Sequence, residues 1–283
     1  MAEAPDDKLN RIVGQILSGP LERAPREDLG ELSPRRIPRF EFTPEAAVFR
    51  DRSMMAEEYR ALRANLNVLQ EQEGIKTFVI TSCHHREGKT TNSLNLALML
   101  ARNPERRVIL VDADIRRPKI KSLIRLGAFA GIDDYLEGRS TLNEVMFFSE
   151  AENLYVIPAR SGRSNATDLL EQSRMGDLVR FLHRRFDCVI YDTAPLLATA
   201  DPMTLGGLAD GVIVVVEAET TQRESIEHAI GLLQQAKIRI LGFILNRVHF
   251  YLPRYLYRYQ YYHDYYYRYY QGVYSRDEEP GEK

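Results

Sequence analysis

The chain has 283 residues, with 38 lysines and arginines against 40 aspartates and glutamates, a formal net charge of −2. That balance excludes a protein that attracts nucleic acid through its overall field. The 44% apolar content supplies a sizeable core and excludes a wholly disordered chain, and the length allows one or two domains.

Two cysteines, Cys83 and Cys188, cannot form a disulfide framework, and their spacing is no zinc motif. A reducing cytoplasm is the expected compartment. The first residues are acidic and hold no apolar stretch, so no secretory signal is expected there. The longest aliphatic run, residues 212–216, is far short of the roughly 20 residues that a spanning helix needs. The chain is therefore not expected to cross a membrane by itself.

Residues 8–18 read as a short amphipathic helix, with Leu9, Ile12, Val13, Ile16 and Leu17 on one stripe. That stripe can pack on its own domain, dock on a partner or lie on a membrane surface. Residues 19–45 hold Pro20, Pro25, Pro34, Pro38 and Pro44 and read as a linker, so 1–50 is expected to be an N-terminal extension. A helix is expected over 54–72, with Tyr59, Leu62, Leu66 and Leu69 on its apolar face. Aliphatic strands are then expected at 77–82, 108–111, 154–157, 188–191, 211–216 and 241–245, alternating with helices such as 90–102, 175–185 and 223–236. This alternation predicts an α/β domain over 51–250, a mostly parallel sheet with helices on both faces, which the phosphate loop described below makes P-loop NTPase-like. Beyond residue 250 the periodicity stops. Twelve of the sixteen tyrosines fall between Tyr251 and Tyr274, so 251–283 is set apart as a tyrosine-rich tail, flexible like the N-terminal extension.

Three segments carry chemistry. The first, residues 83–91, reads Cys-His-His-Arg-Glu-Gly-Lys-Thr-Thr between a strand and a helix. Gly88-Lys89-Thr90 is the end of a phosphate-binding loop, although Cys83 stands where its first glycine belongs. Backbone N–H groups at a helix start face phosphates, Lys89 is expected to reach the β- and γ-phosphates, and the Thr90 hydroxyl to ligate Mg²⁺. The second segment ends an aliphatic strand with Asp112, Asp114 and Arg116; the third ends one with Asp192 and Pro195. Ligands of open parallel sheets gather at the carboxyl ends of strands, so these three ends can converge on one magnesium nucleotide. Asp192 and Asp112 are the expected metal partners, with Asp112 also placed to polarise a hydroxyl and Asp114 to hold metal or support it.

These residues resemble the bacterial tyrosine kinases (BY-kinases) of capsule and exopolysaccharide synthesis. The resemblance spans residues 54–250 and the tail. Gly88-Lys89-Thr90, Asp112-x-Asp114-x-Arg116 and Asp192-x-x-Pro195 match the family's three nucleotide motifs, and Glu57, Arg60 and Arg63 match its E-x-x-R-x-x-R assembly helix. The resemblance implies ATP and Mg²⁺ as cofactors, with Lys89, Asp112, Asp114 and Arg116 catalytic. It implies Glu87, Gly88, Lys89, Thr90, Thr91 and Asn246 at the nucleotide, with Asn246 beside the base. It implies phosphoacceptors among Tyr255, Tyr257, Tyr259, Tyr261, Tyr262, Tyr265, Tyr266, Tyr267, Tyr269, Tyr270 and Tyr274. It further implies a ring-shaped homo-oligomer with an octamer as the candidate size, a separate transmembrane polysaccharide co-polymerase as activator, a tyrosine phosphatase, and no nucleic-acid partner. The expected location is the cytoplasm, at the inner face of the membrane. One departure stands out: the family loop usually carries Pro-Gly where this chain has His85-Arg86.

Two other readings use the same residues. A partition or septum-positioning ATPase shares the fold but carries an extra lysine at the position of His84. A nucleotide-sensing scaffold would bind without turnover.

Overall fold

The structure is a computed structural model that describes residues 32–46, 53–127, 129–160 and 166–248. The chain divides into two units, Met1–Asn246 and Arg247–Lys283, and the sheet lies in the first. The helix expected over 8–18 and the tyrosine cluster lie outside the described residues.

Among the described residues eight strands form one sheet: β1 Arg35–Ile37, β2 Thr77–Ser82, β3 Val108–Asp112, β4 Phe147–Ser149, β5 Leu154–Ile157, β6 Cys188–Asp192, β7 Gly211–Glu217 and β8 Ile240–Asn246. Their order is β1-β4-β5-β3-β6-β2-β7-β8. Every neighbouring pair is parallel except β4 and β5. The helices are α1 Met54–Glu73, α2 Lys89–Ala101, α3 Ile120–Leu123, α4 Ile132–Leu136, α5 Leu142–Val145, α6 Ala166–Leu170, α7 Ser173–Arg185, α8 Asp201–Gly206 and α9 Arg223–Gln235.

The central strands β2, β3 and β6 are buried along their whole length. Their side chains alternate between two cores, as the period of a strand requires. Val79, Ile109, Val111 and Val189 meet Leu178 and Leu182 of α7 on one face. Phe78, Ile80, Leu110 and Ile190 meet Leu94 of α2 and Tyr59 and Leu66 of α1 on the other. Helix α2 lies between the sheet and α1, which explains why nearly all of it is buried. Helix α1 starts at Ser53, whose hydroxyl accepts the Ala56 N–H at 3.2 Å, and stops at Gly74 in the left-handed conformation.

The linker expected over 19–45 needs correction at its end. Residues 35–37 form β1 in parallel register with β4, Phe40 and Ala46 are buried, and Pro44–Ala46 makes a 3-10 turn. Apolar Ile37, Phe40 and Phe42 among the prolines give this segment a face to bury. The guanidinium groups of Arg35 and Arg36 lie over the Phe147 and Phe148 rings, at 5.9 and 5.7 Å from the ring centres. Pro34 and Pro38 bracket a three-residue edge strand, where a missing N–H is tolerated.

Candidate active site

The loop from β2 to α2 is held by side chains on both of its flanks. Gly88 caps α2 at φ 96°, and a Cβ there would overlap Asn246 Nδ2. Asn246 Nδ2 donates to the Glu87 carbonyl at 2.9 Å. The Glu87 side chain is buried and accepts the His84 N–H at 2.9 Å and the Thr221 hydroxyl at 2.6 Å. His84 Nε2 is hydrogen-bonded to Ser225 Oγ at 3.0 Å. The loop is thus sewn to β8 and to the start of α9. Arg86 takes φ 71°, a left-handed backbone conformation that favours glycine. Thr91 is half-buried in the first turn of α2.

Lys89, Asp112, Asp114, Asp192 and Thr90 come together beside this loop. Lys89 Nζ donates to Asp114 Oδ2 at 2.7 Å, with both side chains buried. Asp112 and Asp192 end β3 and β6 as register partners and are fully buried. Asp112 Oδ2 accepts the N–H groups of Ile120 at 3.0 Å and Lys119 at 3.2 Å. Asp192 Oδ1 accepts the Ser93 hydroxyl at 3.0 Å, and the Ser93 and Thr90 hydroxyls both act to lower this carboxyl against its burial. Asp112 Oδ1 and Asp192 Oδ2 have no hydrogen-bond partner among the described residues.

Burial raises the Asp112 carboxyl well above its ordinary range, and Asp192 and Asp114 push it further. Burial raises Asp192 as well. For Lys89 burial works against the charge, but Asp192, Asp114 and Asp112 outweigh it and hold the ammonium above its usual value. Lys89 is therefore charged at neutral pH.

Two orphaned carboxylate oxygens are costly in a protein interior unless something neutralises them. A divalent cation that prefers oxygen ligands fits this donor set, with the Thr90 hydroxyl beside it. Among the described residues no group of three or more histidines, cysteines or carboxylates forms a metal cage on its own. Magnesium typically keeps waters and substrate phosphates as its remaining ligands, which matches a site of one or two carboxylates.

Arg116 turns to a different partner. Its Nε donates to Asp201 Oδ2 at 3.1 Å and its Nη2 to Thr167 Oγ1 at 2.6 Å, while the Thr167 hydroxyl donates to Asp201 Oδ1 at 2.6 Å. Sequence reasoning missed Thr167, Ser93, Thr221 and Ser225. Polar residues in helices and turns carry no signal until the opposing atom is known. Glu57, Arg60 and Arg63 lie on α1, where Glu57 pairs with Arg60.

A family model described as an AAA domain matches residues 76–241. The chain is 32% identical to tyrosine-protein kinase YwqD of Bacillus subtilis (strain 168), over 71% of this chain and 84% of that protein. It is 30% identical to tyrosine-protein kinase CpsD of Streptococcus agalactiae serotype III (strain NEM316), over 68% of this chain and 82% of that one. The solved kinase domain of Escherichia coli tyrosine kinase ETK superposes with a TM-score of 0.71 at 28% identity, covering 76% of this chain and 84% of that structure.

Proposed function

This chain belongs to the tyrosine-protein kinase family of bacteria, and from that premise we propose that it transfers the γ-phosphoryl group of ATP to tyrosines of its own C-terminal cluster. The observation that carries the reading is the meeting of Lys89, Asp112, Asp114 and Asp192 at the carboxyl ends of β2, β3 and β6, beside the glycine that opens α2.

Phosphoryl transfer needs positioning and charge neutralisation more than covalent help. The N-terminal turn of α2 offers backbone N–H groups to the phosphates, and Lys89 brings a fixed positive charge. Asp192, Asp112 and Thr90 would hold Mg²⁺, which when bound would neutralise charge on the phosphates. Asp112 orients the tyrosine hydroxyl and accepts its proton late, because a free phenol has a pKa near 10. As the new bond from tyrosine oxygen to phosphorus forms, the bond to the β-γ bridging oxygen breaks and ADP leaves. Asp114 holds Lys89, and Arg116 stands by as a second cation.

The acceptor tail is read as coming from a neighbouring copy in a ring, with Glu57, Arg60 and Arg63 at the interface. Each phosphotyrosine adds about −1.5 to −2 charges, against Arg254, Arg258 and Arg268 in the tail. Several such tails repel one another, so phosphorylation is read as dissociating the ring and a phosphatase as restoring it. A membrane co-polymerase that recruits and activates the kinase at the inner face of the membrane, and control of exopolysaccharide or capsule polymerisation and export, complete the reading. The family resemblance supports these last steps.

The test is to incubate the full chain with ATP and magnesium, alone and with cytoplasmic peptides of a candidate activator, and probe for phosphotyrosine. Signal that Lys89→Met abolishes is expected. ATP hydrolysis without phosphotyrosine would instead favour a partition-type ATPase. The bond from His84 to Ser225 speaks against that reading, since that class needs a lysine there to reach its partner's nucleotide. Nucleotide binding without turnover would favour a scaffold.

A further inference from the structure

Tyr59 belongs to the apolar face of α1, and its ring packs against α2 in the core. A phenylalanine would fill that space equally well, so packing does not call for the hydroxyl. The hydroxyl donates to Asn92 Oδ1 at 3.0 Å. Asn92 Nδ2 donates in turn to the Gly88 carbonyl at 3.0 Å, and the Asn92 backbone N–H reaches the same carbonyl at 2.9 Å.

An asparagine amide has one accepting end and one donating end. A hydroxyl that donates to Oδ1 fixes which end faces Gly88. Without it, a buried Oδ1 loses its donor, and a flipped amide would set oxygen against the Gly88 oxygen. Burial raises the Tyr59 phenol above its ordinary value, so it keeps its proton and stays a donor. Gly88 is the residue at which the loop turns into α2, immediately before Lys89 and Thr90.

We propose that Tyr59 and Asn92 are positioning residues for the nucleotide: through Oδ1 and Nδ2 of Asn92 they set the Gly88 carbonyl and hence the first turn of α2. The relay makes α1 part of the nucleotide site, and Tyr59 stands on α1 between Glu57 and Arg60. The inference rests on the reading of this loop as a nucleotide site.

The test uses the full chain, a fluorescent ADP derivative with magnesium, and thermal melts of the nucleotide-free protein. Tyr59→Phe is expected to weaken ADP binding about 3- to 10-fold, the scale of one buried hydrogen bond, and to lower the melting temperature of the nucleotide-free protein by about 2–6 °C without loss of a single cooperative transition. The KM for ATP should rise in step with the lost affinity. Asn92→Ala should weaken binding at least as much, and the double variant should bind no worse than Asn92→Ala alone, because both act through one relay. Wild-type affinity in Tyr59→Phe, or a double variant whose loss is the product of the two single losses, would overturn the proposal. Failure of the wild-type chain to bind ADP would overturn the nucleotide reading itself.

Discussion

Asp112 and Asp192 stand opposite each other in register on neighbouring parallel strands, both fully buried, each with one carboxylate oxygen that no described residue satisfies. Neighbouring strands lie only about 4.8 Å apart. Burial raises both carboxyls, and for Asp112 the charge of Asp192 adds to it. A divalent cation seated between phosphate and carboxylate would offset that cost. This part of the fold is shaped for its ligand at the expense of its own stability.

The first prediction follows from the sign of that shift. Asp112 has an ordinary pKa of 3.8 and is held well above it by burial, Asp192 and Asp114. The folded state then binds a proton more tightly than the unfolded state, so stability falls as pH rises from about 3.8 towards the folded value. Asp112→Asn removes that slope. Without nucleotide the variant should melt higher than the parent at pH 8, and the gap should narrow towards pH 5. Magnesium with ADP should raise the parent's melting temperature and raise the variant's much less. Thermal melts at several pH values, with and without magnesium ADP, read both effects. A variant less stable than the parent at pH 8 would show that the bonds from Ile120 and Lys119 outweigh the repulsion.

Arg86 tests the departure in the phosphate loop. A side chain in the left-handed region costs about 1–2 kcal/mol, and Arg86 sits there at φ 71°. Glycine removes this strain but has more freedom to lose on folding, which offsets about half of the gain. Arg86→Gly should therefore raise the melting temperature by about 2–4 °C. Arg86→Ala, which keeps the Cβ and removes the charge, should leave it unchanged. A fall in Arg86→Gly would mean that the arginine side chain itself holds the loop.

The long strands are legible in the sequence because each is a short aliphatic run bounded by turn residues. The carboxylates are legible because they end those runs. Strands β1 and β4 are not, since three residues carry no period and their pairing depends on chain far away. The loop shows the same division. Cys83 in place of the first glycine reads as a loss, yet only Arg86 within the loop before Gly88 takes positive φ, so the backbone needs no glycine at 83. Asn246 looks like a base contact by resemblance, and the structure adds a contact that the resemblance does not carry: its amide nitrogen donates to the Glu87 carbonyl. Tyr59 reads as core, and only its hydroxyl partner sets it apart. What pattern cannot supply is the atom on the other side of a polar side chain.

Asp201 is fully buried and aligned with Arg116 and Thr167, and hydrogen bonds to charged groups are worth about 1.5–3 kcal/mol. Asp201→Asn keeps the shape and removes the charge that aims the guanidinium. If Arg116 serves the transferring phosphoryl group, the turnover rate should fall about tenfold, the scale of the lost interaction. ADP affinity should change by less than about threefold, because the effect lies in the transition state. Arg116→Ala should lose at least as much, and the double variant no more than Arg116→Ala. An equal loss of ADP affinity in Asp201→Asn would make the trio part of ground-state binding instead.

Cys83 lies in the loop, where a reactive thiol would make phosphate binding sensitive to oxidation. Its surroundings argue otherwise. The side chain is fully buried, and its Sγ lies 3.8 Å from the Ser225 carbonyl oxygen as a donor. Burial, with the charge of Glu87 adding to it, pushes the thiol up to about 11. Only the thiolate is nucleophilic, and at pH 8 about one part in a thousand would be ionised, in a position that a reagent cannot enter. Cys188, buried on β6, is pushed up to about 12. Iodoacetamide at pH 8 should therefore leave both cysteines of the native protein unmodified, and the same reagent in denaturant should label both, as read by intact mass. Labelling of Cys83 alone in the native protein would mean that the loop opens on the timescale of the reaction. Protection of Cys83 by magnesium ADP would then measure how far nucleotide closes it.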